Sequence, residues 1–186
     1  MPQPPQPLLD YIEGSRLALT LADPSLEDTP LIRCNEAFLD LTQRPREELI
    51  GRNCRVLQHG HHKQPALDKI RAYLASDDQR SLRVQLVNFR ADGTPFINML
   101  TLSRVCDERE RTCYFFASQF DVSASSAQSL TDYERQLMDM LDRPLSPRRD
   151  HNLYILSSIQ MVADAAATVA KARLTIANIE VDDGLF

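Results

Sequence analysis

Gly51-Arg52-Asn53-Cys54-Arg55-Val56-Leu57-Gln58 places a thiol, two amides and two guanidiniums behind one chain-turning glycine. Read as about two turns of α-helix, the stretch puts Cys54 and Gln58 at i and i+4 on one face, with Leu57 beside them and Arg55 on the flank. A sulfur, an amide that can read a polar ring edge and an arginine that can hold a phosphate form an unusual cluster. A free cysteine alone says little, because most behave as small buried hydrophobes. The polar neighbours are what give this one a chemical context.

Working outward, Leu17–Ala22 reads as a strand closed by an Asp23-Pro24 turn, and Leu31–Cys34 as a second. Short helices fill Asn35–Ala75, the last of them near Pro65–Leu74 with Leu67, Ile70 and Leu74 on one face. Three longer strands follow, near Arg80–Arg90, Thr94–Val105 and Thr112–Val122. Period-two alternation puts Leu82, Val84, Leu86 and Asn88 on one side, and likewise Phe96, Asn98, Leu100 and Leu102. A three-residue loop at Asp92-Gly93-Thr94 would set Asn88 directly across from Asn98, whereas a two-residue loop would put them on opposite faces. With Gln119, these are three amides among inward Leu, Val and Phe. Burying an unpaired amide costs about 1–3 kcal/mol, so each needs a partner. They can pair with one another or with strand ends. A planar heterocycle with alternating donors and acceptors would also serve.

Several separated motifs resemble one family in the same order. The octapeptide resembles the photoactive-cysteine motif of the LOV domains, flavin-binding blue-light sensors of the PAS superfamily. Leu19-Thr20-Leu21-Ala22-Asp23-Pro24 is similar to that family's first strand and turn, and Asn35–Thr42 to its first core helix. Asn88–Asn98 is similar to its central hairpin, and Gln119-Phe120-Asp121-Val122 to its last strand. The resemblance spans roughly residues 17–123 and implies an α+β fold, a five-stranded antiparallel sheet with helices on one face. Proline-rich Met1–Pro7 reads as an arm and Leu8–Gly14 as a cap helix within residues 1–16, and a helical hairpin (124–186) would follow the domain. It also implies bound FMN. Asn88 and Asn98 would meet the pyrimidine edge of the ring with Gln58 assisting, Gln119 would lie near N5 and O4, and Asn53 would meet the ribityl chain. Arg55 and Arg71 would grip the phosphate, for which a planar guanidinium is well shaped. The implied chemistry is photochemical. The Cys54 sulfur bonds to ring carbon C4a while N5 gains the proton, and darkness reverses both steps. Cys54 is expected to wait as a thiol, and Gln119 to rotate when N5 turns from acceptor to donor. No substrate is turned over, so an enzyme is not expected. The chain departs from the family pattern at Val56, Gln43-Arg44-Pro45, Ile97 and Ala117-Ser118 without losing a motif residue.

The bulk properties agree with such a sensor. The chain has 186 residues and a net charge of −5, which invites neither nucleic acid nor an anionic membrane. Its apolar runs fall short of a membrane span, and its proline-rich start lacks the regions of a signal peptide. Cys34, Cys54, Cys106 and Cys113 show no zinc-type or C-x-x-C spacing, so no metal and a reducing, cytoplasmic setting are expected. From Ala124 onward there are six basic and nine acidic residues, a balance opposed to a DNA-reading helix pair. Leu130, Tyr133, Leu137 and Leu141 repeat at helical spacing before Pro144 and Pro147, and Asp150 can cap a second helix running to about Glu180. The stripe Ile155, Ile159, Val162, Ala166, Val169 suits a core or a dimer seam. The expected output is a homodimer whose geometry or affinity responds to light and is read by a further protein. Two rivals are a light-insensitive flavin redox sensor and a histidine-kinase-like phosphoacceptor or interaction module. The second rests on His151, which opens a run faintly similar to a phosphoacceptor helix.

Overall fold

The computed structural model describes residues 3–76, 79, 81–107, 109–123 and 153–154. Its elements are α1 (Gln6–Gly14), β1 (Ala18–Ala22), β2 (Leu31–Cys34), α2 (Glu36–Thr42), α3 (Arg46–Leu49), a 3₁₀ turn (Cys54–Gln58), α4 (Pro65–Ala75), β3 (Ser81–Phe89), β4 (Pro95–Asp107), β5 (Thr112–Asp121) and β6 (Leu153–Tyr154). The main sheet has five antiparallel strands, as expected, and runs β2-β1-β5-β4-β3. None of the described helices is long and apolar enough to cross a membrane.

Alternation along each strand divides the sheet into two apolar faces. Leu19, Leu21, Met99, Val105, Tyr114 and Phe116 form one, and α1 seals part of it with Leu8 and Ile12. On the other face Ala18 and Leu31 pack with Phe38 of α2, Leu49 of α3 and Leu57 of the 3₁₀ turn. Leu67 of α4 covers Val84, Leu86, Leu100 and Ala117. Burying each such side chain stabilises the fold by roughly 1.5–3 kcal/mol. Helix α4 is also fastened at its carboxyl end. Buried Arg104 donates to the carbonyls of Tyr73 and Ser76, and its guanidinium lies over the Tyr73 ring at 4.7 Å.

Four expectations are corrected. Helix α1 begins at Gln6, so the N-terminal arm is shorter than Met1–Pro7; Pro7 at the start of the helix suits the first turn, where no amide donor is needed. The octapeptide forms a five-residue 3₁₀ turn, not α-helix, because Asn53 caps the Arg55 amide at 3.0 Å and His59 leaves in the left-handed region. The β3–β4 loop is Ala91-Asp92-Gly93, one residue earlier than expected. Arg90 and Thr94 still pair across it, and Gly93 takes φ +85° after the turn. Asn88 therefore faces Phe96, and Asn98 faces Leu86. The two amides share a face as diagonal neighbours, not as a directly opposed pair. Lastly, Leu153–Tyr154 is a short strand on Cys106–Asp107 of β4, which extends past its ladder with β3 and has an edge to pair. The rest of the expected hairpin, His151 included, lies outside the described residues.

Asn35 ties these layers together. Its fully buried amide donates to the carbonyls of Ile12 (3.0 Å), Ser15 (3.1 Å) and Leu17 (2.7 Å), and accepts from the amides of Leu19 (3.0 Å) and Phe38 (3.2 Å). Asn35→Leu is expected to lower stability in urea unfolding by more than about 3 kcal/mol, since several buried groups each lose a partner worth roughly 1–3 kcal/mol.

A second tie closes the end of the sheet. Arg90 pairs with Asp121 at 2.5 Å, donates to the Leu41 carbonyl and lies over Phe96. Burial pushes the Asp121 carboxyl up, but the Ser123 hydroxyl and amide and the Arg90 guanidinium outweigh it and hold the group below its ordinary value. Such a carboxylate adds stability above the ordinary carboxylate range and loses it as pH falls through its depressed value. Asp121→Asn should therefore destabilise more at pH 7 than at pH 3, measured by urea unfolding at both.

Candidate functional site: a cavity with an amide row

Between the sheet and the short helices lies a cavity of about 120 Å³. Leu31, Ile70, Leu74, Leu86, Leu100, Leu102 and Phe115 give it apolar flanks. Asn53, Cys54, Arg55, Gln58, Asn88, Asn98 and Gln119 line it too. Seven of the eight residues singled out in the sequence thus meet in one place, although they come from the cysteine turn and three separate strands. Arg71 is not among the lining residues. Its exposed guanidinium pairs with Asp68, one turn back.

The cysteine is delivered by backbone pairing. Gly51, at φ +80°, donates to the Leu31 carbonyl at 2.8 Å, and the Leu31 amide donates to the Arg52 carbonyl at 2.9 Å. A left-handed φ is what glycine allows without strain. This clamp carries Asn53 and Cys54 off the end of β2 while Leu57, fully buried, anchors the turn from the core side. Cys54 packs against that cluster and presents its other side to the cavity, so it is deep and yet forms part of a wall. Burial, helped by the neighbouring Cys34, pushes its thiol up to about 12. Cys54 is therefore a thiol, not a thiolate, over the neutral range, as the sequence reading expects.

The three sheet amides form a chain. Asn98 Nδ2 donates to Asn88 Oδ1 at 2.8 Å and to Gln119 Oε1 at 3.1 Å, while Gln119 Nε2 donates to Thr20 Oγ1 at 3.4 Å. One atom is left over. Asn98 Oδ1 is buried and has no partner. A second polar group is also unspent, because Gln58 Oε1 is met by His62 Nδ1 at 2.9 Å and no bond uses its Nε2. The cavity thus holds an orphan acceptor on Asn98 and a free donor on Gln58, the complement of a ligand edge bearing an N–H and a carbonyl.

At the mouth, Asp28 and Thr29 adopt left-handed backbone. The Asp28 carbonyl accepts from Asn53 Nδ2 at 2.6 Å, and its carboxylate pairs with Arg55 at 2.6 Å. An anion held by Arg55 would share that guanidinium with Asp28. Thr20, Asp28 and His62 were not foreseen as parts of the site. Alternation does place Thr20 inward between Ala18 and Ala22, but its partner, Gln119, lies 99 residues away. Among the described residues no cluster of His, Cys, Asp or Glu could hold a metal.

With this geometry in view, the comparisons with known proteins are specific. Residues 19–124 match the PAS domain family. The chain is 38% identical over 120 residues to blue-light-activated histidine kinase 1 of Erythrobacter litoralis, covering 64% of this chain and 33% of the kinase. It is 33% identical over 158 residues to the blue-light-activated histidine kinase of Rhizobium johnstonii, covering 82% of this chain and 43% of that one. It thus spans less than half the length of either kinase. The crystal structure of the Rhodobacter sphaeroides LOV protein shares its fold at a TM-score of 0.69 and 30% identity, over 91% of this chain and 96% of that one. The chain belongs to the LOV photoreceptors of the PAS superfamily.

The raised thiol leads to a direct test. Alkylation of Cys54 by iodoacetamide, followed on its own peptide by mass spectrometry, is expected to quicken about tenfold per pH unit without levelling off below pH 10, because only the thiolate reacts. A plateau near pH 8 would mean an ordinary, solvated thiol.

Proposed function

We propose that the protein is a blue-light receptor that holds FMN in this cavity and uses Cys54 as its reversible reaction partner. The observation that carries the reading is the buried, unpartnered Asn98 Oδ1, set in a row of amides and facing the same cavity as a protonated thiol. An isoalloxazine supplies what that row lacks, a ring edge with carbonyls flanking an N–H. It also supplies the blue-light absorption and an electrophilic ring carbon. The remaining tasks fall to side chains. The apolar flanks exclude water from both ring faces. Asn53 and Arg55 stand at the mouth, where a ribityl chain and a phosphate would leave, and the anion favours the mononucleotide over riboflavin. Arg71 joins them if its weak surface pair with Asp68 opens, an exchange that costs little.

Cys54, kept neutral by burial, gives up sulfur and proton together, so no charge is created in the low-dielectric pocket. Gln119 stands in reach of both outcomes. Its carbonyl is held by Asn98 and its amino group by Thr20 at a long 3.4 Å, so turning the amide breaks only one good bond. The strand that carries Gln119 ends at Asp121 and passes through Ser123 into the C-terminal extension, giving a change in the amide row a short covalent route outward. The breadth of the match to the Rhodobacter LOV protein, 91% of this chain, supports treating that extension as part of one receptor. In this reading the extension carries a homodimer interface whose geometry responds to light, an unidentified cytoplasmic protein reads it, and no substrate is turned over.

The test is the visible spectrum of dark-kept protein reconstituted with FMN, before and after blue light, for the natural chain and Cys54→Ala. Both should bind the flavin and show a structured band near the blue. Only the natural chain should bleach and recover in darkness. Bleaching that survives in Cys54→Ala would remove the thiol from the mechanism, and a natural chain that binds without bleaching would make it a flavin redox protein.

A further inference from the structure

The loop that follows the cysteine turn carries three histidines, His59, His61 and His62, that the flavin reading leaves without a role. It is a built structure. The His61 amide donates to the Gln58 carbonyl at 2.8 Å and the His62 amide to that of Gly60 at 3.0 Å. The His61 ring stacks on Phe89 with centroids 4.6 Å apart. Gln64 brackets Val87, donating to its carbonyl at 3.0 Å and accepting from its amide at 2.7 Å, so its side chain acts as one residue of an added strand. Strand β3 is the last of the main sheet, and this edge is where its backbone needs partners. The loop is thereby locked to the residue that precedes Asn88. Gln58 and Asn88, the two ends of the polar wall, are held in one frame.

Within that frame His62 Nδ1 stands 2.9 Å from Gln58 Oε1. As the Gln58 amide is set, its Oε1 faces that ring nitrogen, which calls for the Nδ1–H tautomer of His62, in which Nδ1–H donates and Oε1 accepts. Gln58 then has only its amino group to offer the cavity. Without His62 the amide could turn either way. We propose that His62 is a positioning residue that fixes Gln58 as a donor toward the cavity and so selects a ring edge carrying a carbonyl opposite it. The inference rests on the flavin reading and adds to it: the donor beside the ring is set from outside the pocket, by a side chain that never touches the ligand.

The experiment uses the full chain in three forms, natural, His62→Phe and His62→Gln, each titrated with FMN and with FMN carrying carbon-13 at ring position 2. His62→Phe should weaken FMN binding about tenfold, the worth of roughly one hydrogen bond to a polar ring edge. It should also raise the infrared stretch of the labelled carbonyl, the sign of a lost donor. His62→Gln, which can still donate to Oε1, should restore both. Gln58→Leu should reproduce the carbonyl shift, and adding His62→Phe to it should shift the band no further. An unchanged carbonyl band in His62→Phe overturns the inference, whether or not affinity falls, and leaves the flavin reading standing. A natural chain that takes up no FMN overturns both.

Discussion

The buried Asn35 amide is the contact on which the rest of this molecule rests. It satisfies backbone groups of α1, the α1–β1 connection, β1 and α2 at once. None of these segments is long enough to be stable alone, since isolated helices shorter than about 12–15 residues are marginal in water. An amide can do this because it carries donors and acceptor on one planar group, which no carboxylate or hydroxyl matches. Once Asn35 is seated, α1 is fixed over one face of the sheet, and α2 starts over the other. The layer that forms the floor of the cavity follows from that placement.

The cavity itself runs against the rule that makes the rest of the fold stable. Most cavity-facing positions of β3, β4 and β5 carry Val, Leu, Phe or Ala, yet Asn88, Asn98 and Gln119 are buried among them. They relieve one another only in part, and Asn98 Oδ1 is left without a partner. A core built for stability alone would hold aliphatic side chains here. The polar row therefore marks a place where stability is given up for recognition, and its donors and acceptors describe the molecule it awaits.

Charge at the site is arranged to be low. The thiol is kept protonated by burial, and the guanidinium nearest the cavity is already paired with Asp28. In the proposed photochemistry a proton and a bond move together, and the response proposed for the protein is a change in hydrogen-bond direction at Gln119. That is a small perturbation, on the order of 1 kcal/mol per bond. It matters because β5 lies between β1 and β4 and leads directly to Asp121, where the Arg90 ion pair and the Ser123 contacts hold the exit from the sheet.

What could be read along the chain was whatever depends on neighbours in sequence. The strand alternation, the paired strands and the inward amides follow from side-chain period and local turns, and the Gly51–Gln58 motif marks Cys54 without any structure. Positions that depend on distant partners were not legible. The hairpin loop moved by one residue, and the cross-strand pairing by two, because the capped turn at Arg90–Gly93 and the Ala91 tether to the Thr42 carbonyl chose the loop, and Thr42 is 49 residues from Ala91. Thr20 looked like any inward strand residue until Gln119 was placed beside it. Nothing along the chain linked His62 to Gln58, which the folded loop sets 2.9 Å apart. The spacing of Arg71 from the motif was legible, but its exposed pair with Asp68 on the same helix was not. Sequence by itself determined which groups this protein owns and which face of each strand they take, since both are properties of the local chain. Only the tertiary structure decided which way each amide points, because an amide's direction is set by partners brought together across the whole fold.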